Sequence, residues 1–241
     1  MRQIFLMLFL FFNLSVNAQK GQATRYNPRF DYEPPKREEI GSANVTVALL
    51  KPVFIDKEVQ RAGPPWSDFS VMMQNDIEEL LNAKGIKVRG PFSSRDEMVF
   101  TDKDASDFTF EISIDLRVDA NRTEKVVLFT FGGPDRKVEK GDVTISSSVV
   151  ITAISNFSGE KLWKKNLQIP QKNYSYAGYT KWVAIPALID ELKGDNNAYN
   201  PFAKKLEEIY VEGLTILWNQ FDVNEVRNIA EVAKREKVRK N

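Results

Sequence analysis

The sequence predicts an α+β domain, in which a mostly antiparallel sheet of five or six strands packs against two main helices. Three observations favour this class. Residues 44–90 alternate once between strand and helix patterns, which indicates a β-α-β start. Strands then follow one another as far as residue 169 without helices between them. The last part of the chain carries one strongly amphipathic helix and a C-terminal basic helix.

The β-α-β start is the first unit of the domain. The β-branched run NVTVALL (44–50) predicts a buried strand, and IKVRG (86–90) predicts the second strand. Between them, after a loop that contains Gly63-Pro64-Pro65, Ser67 is the expected N-cap of a helix and Gly85 its expected stop. The apolar stripe of this helix has three- and four-residue spacing and consists of Phe69, Met72, Met73, Ile77, Leu80 and Leu81.

The middle of the chain predicts strands joined by short loops. SSRDEMVF (93–100) predicts one or two helical turns. FTFEISIDLRV (108–118) alternates apolar and polar residues, and KVVLFTF (125–131) is expected to be its partner strand across a DANRTE loop. DVTISSSVVITAIS (142–155) and KLWKKNLQI (161–169) predict a hairpin around the turn NFSGE.

The C-terminal part predicts a long connection and two helices. Residues 170–200 form the connection, with a candidate helix at 182–192. Residues 200–221 predict an amphipathic helix with the core stripe Phe202, Leu206, Ile209, Tyr210, Leu214, Leu217 and Trp218. Residues 223–241 predict a basic helix, with six basic and three acidic residues. This helix suits either a partner or an acidic envelope surface, and a solvated terminal helix is the simpler interpretation.

The first 18 residues are expected to be a signal peptide. Arg2 is followed by an apolar run from Ile4 to Phe12, about half of the roughly 20 residues that span a bilayer. Small residues at Val16 and Ala18 favour cleavage after Ala18. An uncleaved short anchor is the alternative. A lipoprotein signal requires a cysteine after the cut, and the chain has no cysteine.

Residues 19–43 predict an extended, proline-containing arm ahead of a single domain at 44–222. The segment is polar, has charges of both signs and shows no periodicity. Its aromatic residues Tyr26, Phe30 and Tyr32 suit docking on the domain or on a partner. A loosely attached leader is the simpler expectation.

Composition limits the functions that the chain can have. Loss of Arg2 with the signal peptide removes one of 34 basic residues and leaves 33 against 33 acids, so a nucleic-acid partner is not expected. The absence of histidine and cysteine excludes Ser-His-Asp and Cys-His catalysis, disulfides and ordinary zinc sites. Carboxylate-pair, Ser-Lys and calcium chemistry remain open, but none has a recognisable spacing. The chain is therefore interpreted as a non-enzyme without a cofactor or metal.

Two groups of residues are candidate binding sites. Arg122, Thr123 and Lys125 lie in the connecting stretch VDANRTEKVV (118–127), where a guanidinium fork and a hydroxyl suit a carboxylated sugar. A solvated turn is the competing interpretation. The second group is an aromatic loop that suits carbohydrate faces or protein hot spots, or that simply caps the core. Its members are Tyr174, Tyr176, Tyr179 and Trp182.

The order of the motifs resembles one known family. VALLKPVFIDKE is followed by NDIEELLNAKGIKVRG, FTFEISIDLRVDANRTEK and VVITAISNFSGEKLW, and then by the amphipathic helix and the lysine-rich tail. This order, over most of residues 44–241, is similar to the neuraminyllactose-binding hemagglutinin family. The resemblance implies an exported envelope or surface protein with a role in binding sialylated glycans. Only Arg122-Thr123 matches the family's basic run here, with Lys125 nearby, while Asn121 and Glu124 stand at positions where the family is basic.

Two functional hypotheses follow, the first from the resemblance and the second from the order of strands and helices alone. The first is a non-catalytic, adhesin-like protein of the cell envelope that binds a glycan or an envelope protein. It would associate peripherally with the outer membrane without a lipid anchor, or act at the cell surface. The alternative is a periplasmic structural or assembly component of an outer-membrane machine, in which the arm and the basic helix dock on partners.

Overall fold

The chain forms a layered α+β fold, as predicted from the sequence. The computed structural model describes residues 24–128, 136–178 and 196–240, and only the backbone is described at 122–128, 136–139, 177–178, 197–198 and 239–240. In this part of the chain a six-stranded sheet has the order β3-β1-β4-β5-β6, with the short β2 paired to β4. The strands are β1 (Thr46–Leu50), β2 (Val53–Phe54), β3 (Lys87–Phe92), β4 (Phe108–Leu128), β5 (Arg136–Ile154) and β6 (Lys161–Gly178).

The sheet has a parallel part and an antiparallel part. β1 pairs in parallel with both β3 and β4, and β2 also runs parallel to β4. The long strands β4, β5 and β6 pair antiparallel to one another. Most of the paired length therefore lies in the β4–β5–β6 ribbon, because these strands have 21, 19 and 18 residues.

The helices lie where the periodicity predicted the two main ones. Those described are α1 (Lys57–Arg61), α2 (Trp66–Ala83), α3 (Phe100–Asp104), α4 (Asn196–Gln220) and α5 (Val223–Lys240), with a single 3-10 turn at Arg95–Glu97. α2 starts at Trp66 after Pro65 rather than with Ser67 as the cap. Gly85 ends it as expected, in the left-handed region at φ +77° that an L side chain rarely adopts. The helix α1 falls in a segment that was expected to be loop.

Two strand predictions were wrong in the same way. Residues 108–128 form one continuous strand, so the expected loop at DANRTE is β-structure and the partner of residues 108–118 is β5. β6 likewise continues past residue 169 to Gly178. Polar and proline residues ended both predicted strands too early. Pairing with a long neighbour supplies hydrogen bonds that local sequence does not reveal.

The core lies between one face of the sheet and helices α2 and α4. The alternating positions of β4, from Phe108 to Val118, are all buried, as predicted. The predicted stripes of both helices face them, with Met72 and Trp218 only partly buried at the edge. α5 contributes Val226, Ile229 and Ala233. A smaller cluster around Met98 covers Ala48 and Leu50 on the other face.

The N-terminal arm is part of this fold. Phe30 and Tyr32 are 5% and 8% exposed and belong to the main core cluster. The expectation of a loosely attached leader is therefore wrong for residues 24–34. The signal peptide and its expected cleavage site lie outside the described residues, as does the candidate helix at 182–192.

Candidate functional site

The two predicted groups of site residues lie close together on the β4–β5–β6 ribbon, in the half that contains the end of β4, the start of β5 and the end of β6. Arg122 on β4 pairs with Gly141 on β5, and Gly141 pairs in turn with Tyr176 on β6. Arg122 and Tyr176 therefore occupy one row of the sheet. Their Cα atoms are two strand spacings apart, about 9–10 Å across the sheet. The two groups are separated by about 50 residues in sequence, so only strand register could place them side by side.

Gly141 gives the tyrosine of this row its position. A Cβ at Gly141 would stand 2.6 Å from both Cε1 and Oη of Tyr176 and 2.5 Å from the carbonyl oxygen of Asn121. The Tyr176 ring thus lies across the backbone of β5, in space that only a glycine leaves free. Tyr176 is 4% exposed in this position. The ring therefore reaches from β6 over Gly141 of β5.

Tyr174 occupies the preceding row on the same face as Tyr176. It pairs with Val143, which pairs with Ala120 on β4. Burial raises the pKa of the Tyr174 hydroxyl well above its ordinary value. Tyr174 consequently stays neutral at physiological pH and presents a hydrogen-bonding hydroxyl on an apolar ring.

The basic group lies on a strand and not at a hairpin tip. Arg122 pairs with Gly141 and Glu124 with Lys140, so Thr123 is an extra residue that forms a β-bulge. Lys125 follows in the next row opposite Glu139. Bulges often occur beside binding sites, because the extra residue bends the strand and changes the direction of a side chain. The aromatic group is also on a strand: Tyr174 and Tyr176 belong to β6, while Tyr179 and Trp182 lie outside the described residues.

The opposite face of the same ribbon is polar and hydrogen-bonded across strands. Thr144 Oγ1 lies 2.9 Å from Asn173 Oδ1, and Ser175 Oγ donates to Asp142 Oδ1 at 2.7 Å. These pairs fix the register of β5 on β6 at the height of the Arg122 row. The row is thus built on a regular pair of strands rather than on a loop.

A buried carboxyl–hydroxyl pair joins the helices and was missed from the sequence. Tyr210 Oη on α4 donates to Asp76 Oδ2 on α2 at 2.5 Å, and both residues are buried. Burial is the main cause of the raised pKa of Asp76, while the bond from Tyr210 opposes that rise. Tyr210 itself looks like one more core residue in its apolar stripe, so only the packing reveals its hydroxyl as a donor.

Two chemical features are absent from the described part of the chain. Residues 24–128, 136–178 and 196–240 contain no cluster of three acidic side chains arranged to hold a metal ion. Among the helices described, none combines the length and the apolar character needed to cross a bilayer.

The fold is similar to that of a neuraminyllactose-binding hemagglutinin homolog from Helicobacter pylori. The TM-score is 0.59 at 12% identity, and the match covers 87% of this chain and 100% of the other. At this identity the two proteins share a fold. The structural comparison therefore agrees with the sequence resemblance at the level of the fold.

Other likenesses are weaker. A lipoprotein from Neisseria meningitidis matches with a TM-score of 0.25 at 11% identity, over 66% of this chain and 99% of its own. A protein from Xanthomonas campestris matches with a TM-score of 0.30 at 12% identity, over 81% of this chain and 96% of its own. Such scores support no conclusion about this chain. No family model matches the sequence, and no curated protein matches it.

Proposed function

We propose that the protein is an exported, non-catalytic binding protein of the cell envelope, and that it binds an acidic glycan on the β4–β5–β6 ribbon. The observation that carries the proposal is the row formed by Arg122, Gly141 and Tyr176. The fold that the chain shares with a neuraminyllactose-binding hemagglutinin homolog supports it. An envelope location, at the surface or in the periplasm, is part of the same proposal.

The chemistry of the row suits a sialylated sugar. A guanidinium binds a carboxylate through two parallel hydrogen bonds. The carboxylate is the group that distinguishes sialic acid from neutral sugars. Tyr174, which is partly exposed in the preceding row, supplies an apolar ring and a hydroxyl at its edge, while the buried Tyr176 supports the row from beneath. Thr123 and Lys125 add a hydroxyl and a second positive charge within three residues of Arg122.

The direct test measures binding of sialyllactose and of lactose to the wild-type chain and to Arg122→Ala. We expect wild type to prefer sialyllactose and Arg122→Ala to lose this preference at least tenfold, because hydrogen bonds to charged groups contribute about 1.5–3 kcal/mol. Arg117→Ala is the matched control, since Arg117 is an exposed arginine on the same strand and bonds to Asp115. Unchanged binding by Arg122→Ala would refute a site at this row.

The location is tested by protease digestion of intact cells and of cells with opened outer membranes. Digestion on intact cells supports a surface adhesin. Protection until the outer membrane is opened favours the alternative, a periplasmic assembly component. That alternative relied on the arm and the basic helix as docking elements. Residues 26–34 of the arm and the apolar side of α5 are packed on the chain's own domain, which reduces the surface that they offer to a partner.

A further inference from the structure

Side chains of helix α4 hold the arm, mostly through hydrogen bonds to the main chain of the arm. The Asn200 side chain binds the arm twice: its Oδ1 accepts from the N–H of Tyr26 at 2.8 Å, and its Nδ2 donates to the carbonyl of Thr24 at 2.9 Å. Glu207, two turns further along α4, accepts from the N–H of Arg29 at 2.9 Å and from the Tyr26 hydroxyl at 2.6 Å. Such bonds recognise an extended backbone rather than a particular folded neighbour.

An aromatic anchor fixes the arm between the two helices. The Phe30 ring is 5.2 Å from Phe69 on α2 and 5.2 Å from Tyr210 on α4, both measured between ring centroids. Next to it, Tyr32 is 8% exposed and belongs to the same core cluster. A central aromatic residue in a pocket, flanked by backbone hydrogen bonds, is the usual anatomy of a peptide in its receptor groove.

The link between the arm and β1 is exposed. Residues 35–40 are all exposed, whereas Pro34 before them and Ala43 after them are buried. Within this link one main-chain hydrogen bond to the domain is described, from Glu38 N–H to the carbonyl of Ala83 at 2.8 Å. A short, exposed link between two docked segments is the geometry from which domain swapping starts.

We infer that the groove between α2 and α4 is a peptide-binding site, and that it exchanges its occupant, residues 24–34, with the same segment of a second copy of this chain. Each arm contact described above is made with α2 or α4 and can form identically when the helices belong to another copy. Reciprocal exchange closes a dimer with twofold symmetry and leaves no groove empty. The partner is therefore a second molecule of this protein.

Exchange depends on concentration, because the arm and groove of one chain are tethered. A short flexible tether gives an effective concentration of about millimolar, so the unexchanged monomer dominates in dilute solution. The dimer forms when chains refold together at high concentration. It persists on dilution because release of the arm must break the Phe30 ring contacts and the hydrogen bonds to Asn200 and Glu207. Shortening the exposed link disfavours docking within one chain and shifts the population toward the dimer.

The test uses the absence of native cysteine. We mix two variants of the chain from Gln19 onward, Arg29→Cys and Glu207→Cys, unfold them, refold them together at high concentration and oxidise them. A disulfide between the two different chains reports the arm of one copy in the groove of the other. We expect such heterodimers, and at least tenfold fewer when the arm also carries Phe30→Ala. Lys164→Cys replaces Glu207→Cys as the control, since Lys164 is exposed on β6.

Molar mass provides an independent measurement that needs no cysteine. Wild type refolded at high concentration is expected to elute partly as a dimer, and a variant lacking residues 36–38 mainly as a dimer. Asn27→Ala, an exposed arm residue, should behave as wild type. A wild-type chain that stays wholly monomeric, or cysteine pairs that cross-link no better than the control, would overturn exchange. Glycan binding is measured separately, so failure of the proposed function leaves this result unaffected.

Discussion

Replacing Tyr210 with phenylalanine isolates the bond that joins α2 to α4. Tyr210→Phe keeps the ring among Phe30 and Phe69 and removes only the hydroxyl that donates to Asp76 at 2.5 Å. Because Asp76 is 5% exposed, water cannot fully replace the lost donor. Removing a hydrogen bond to a buried charged group costs about 1.5–3 kcal/mol. For a domain of this size about 2 kcal/mol corresponds to a fall in Tm of about 4–8 °C.

The loss of stability caused by Tyr210→Phe should grow as the pH rises. The pKa of Asp76 is raised in the folded protein, mainly by burial, so this residue contributes most to folding at low pH, where it is protonated in both states. That contribution falls as the pH rises from the unfolded value of about 3.9 toward the folded pKa. Without the Tyr210 hydroxyl the folded pKa rises further. The difference between wild type and Tyr210→Phe is therefore smallest near pH 4 and reaches its full size at neutral pH.

Denaturant unfolding of both chains between pH 4 and 8 measures this difference. Tyr26→Phe is the matched control: it removes a hydroxyl that also donates to a carboxylate, at 2.6 Å, but on the half-exposed surface. Its cost should stay below about 1 kcal/mol. A Tyr210→Phe variant as stable as Tyr26→Phe at pH 7, or a difference that does not increase with pH, would show that the buried bond is not charge-assisted.

Two further substitutions test the ribbon and the β5–β6 turn. Gly141→Ala should lower the free energy of unfolding by about 1–3 kcal/mol and change the near-ultraviolet circular dichroism signal of Tyr176. The control Gly63→Ala, whose Cβ meets nothing within 4 Å, should change the free energy of unfolding by less than about 0.5 kcal/mol. Equal effects of the two substitutions would contradict the packing of Tyr176 on Gly141. Asn156→Asp places a carboxylate against two backbone carbonyls that the Asn156 amide now bonds, at 2.8 and 3.1 Å. This substitution should lower the free energy of unfolding by about 3 kcal/mol or more at neutral pH. The stability should recover as the pH falls and the new carboxylate is protonated. A loss of stability that is independent of pH would count against this explanation.

Part of the candidate site was readable from the sequence and part was not. The residue types at Arg122 and Tyr176 identified both as candidate contacts. Their proximity follows from strand register, which is fixed over the paired length of three strands and not by any local signal. The same long-range pairing turned the expected DANRTE loop into strand. It also made Gly141, which has no motif of its own, the residue that positions Tyr176.

The fold class could be predicted from the sequence alone, because the alternating or helical spacing of apolar residues is a local pattern. The alternation of residues 108–118 and the stripes of α2 and α4 predicted which side chains form the core. The lengths of β4 and β6, and the rows that they share, were visible only in the folded structure. The same is true of the position of Phe30, whose ring packs between α2 and α4. These outcomes depend on pairing and packing between different segments of the chain, such as Arg122 with Gly141 and Phe30 with Tyr210, and these contacts form only when the helices and the sheet pack together.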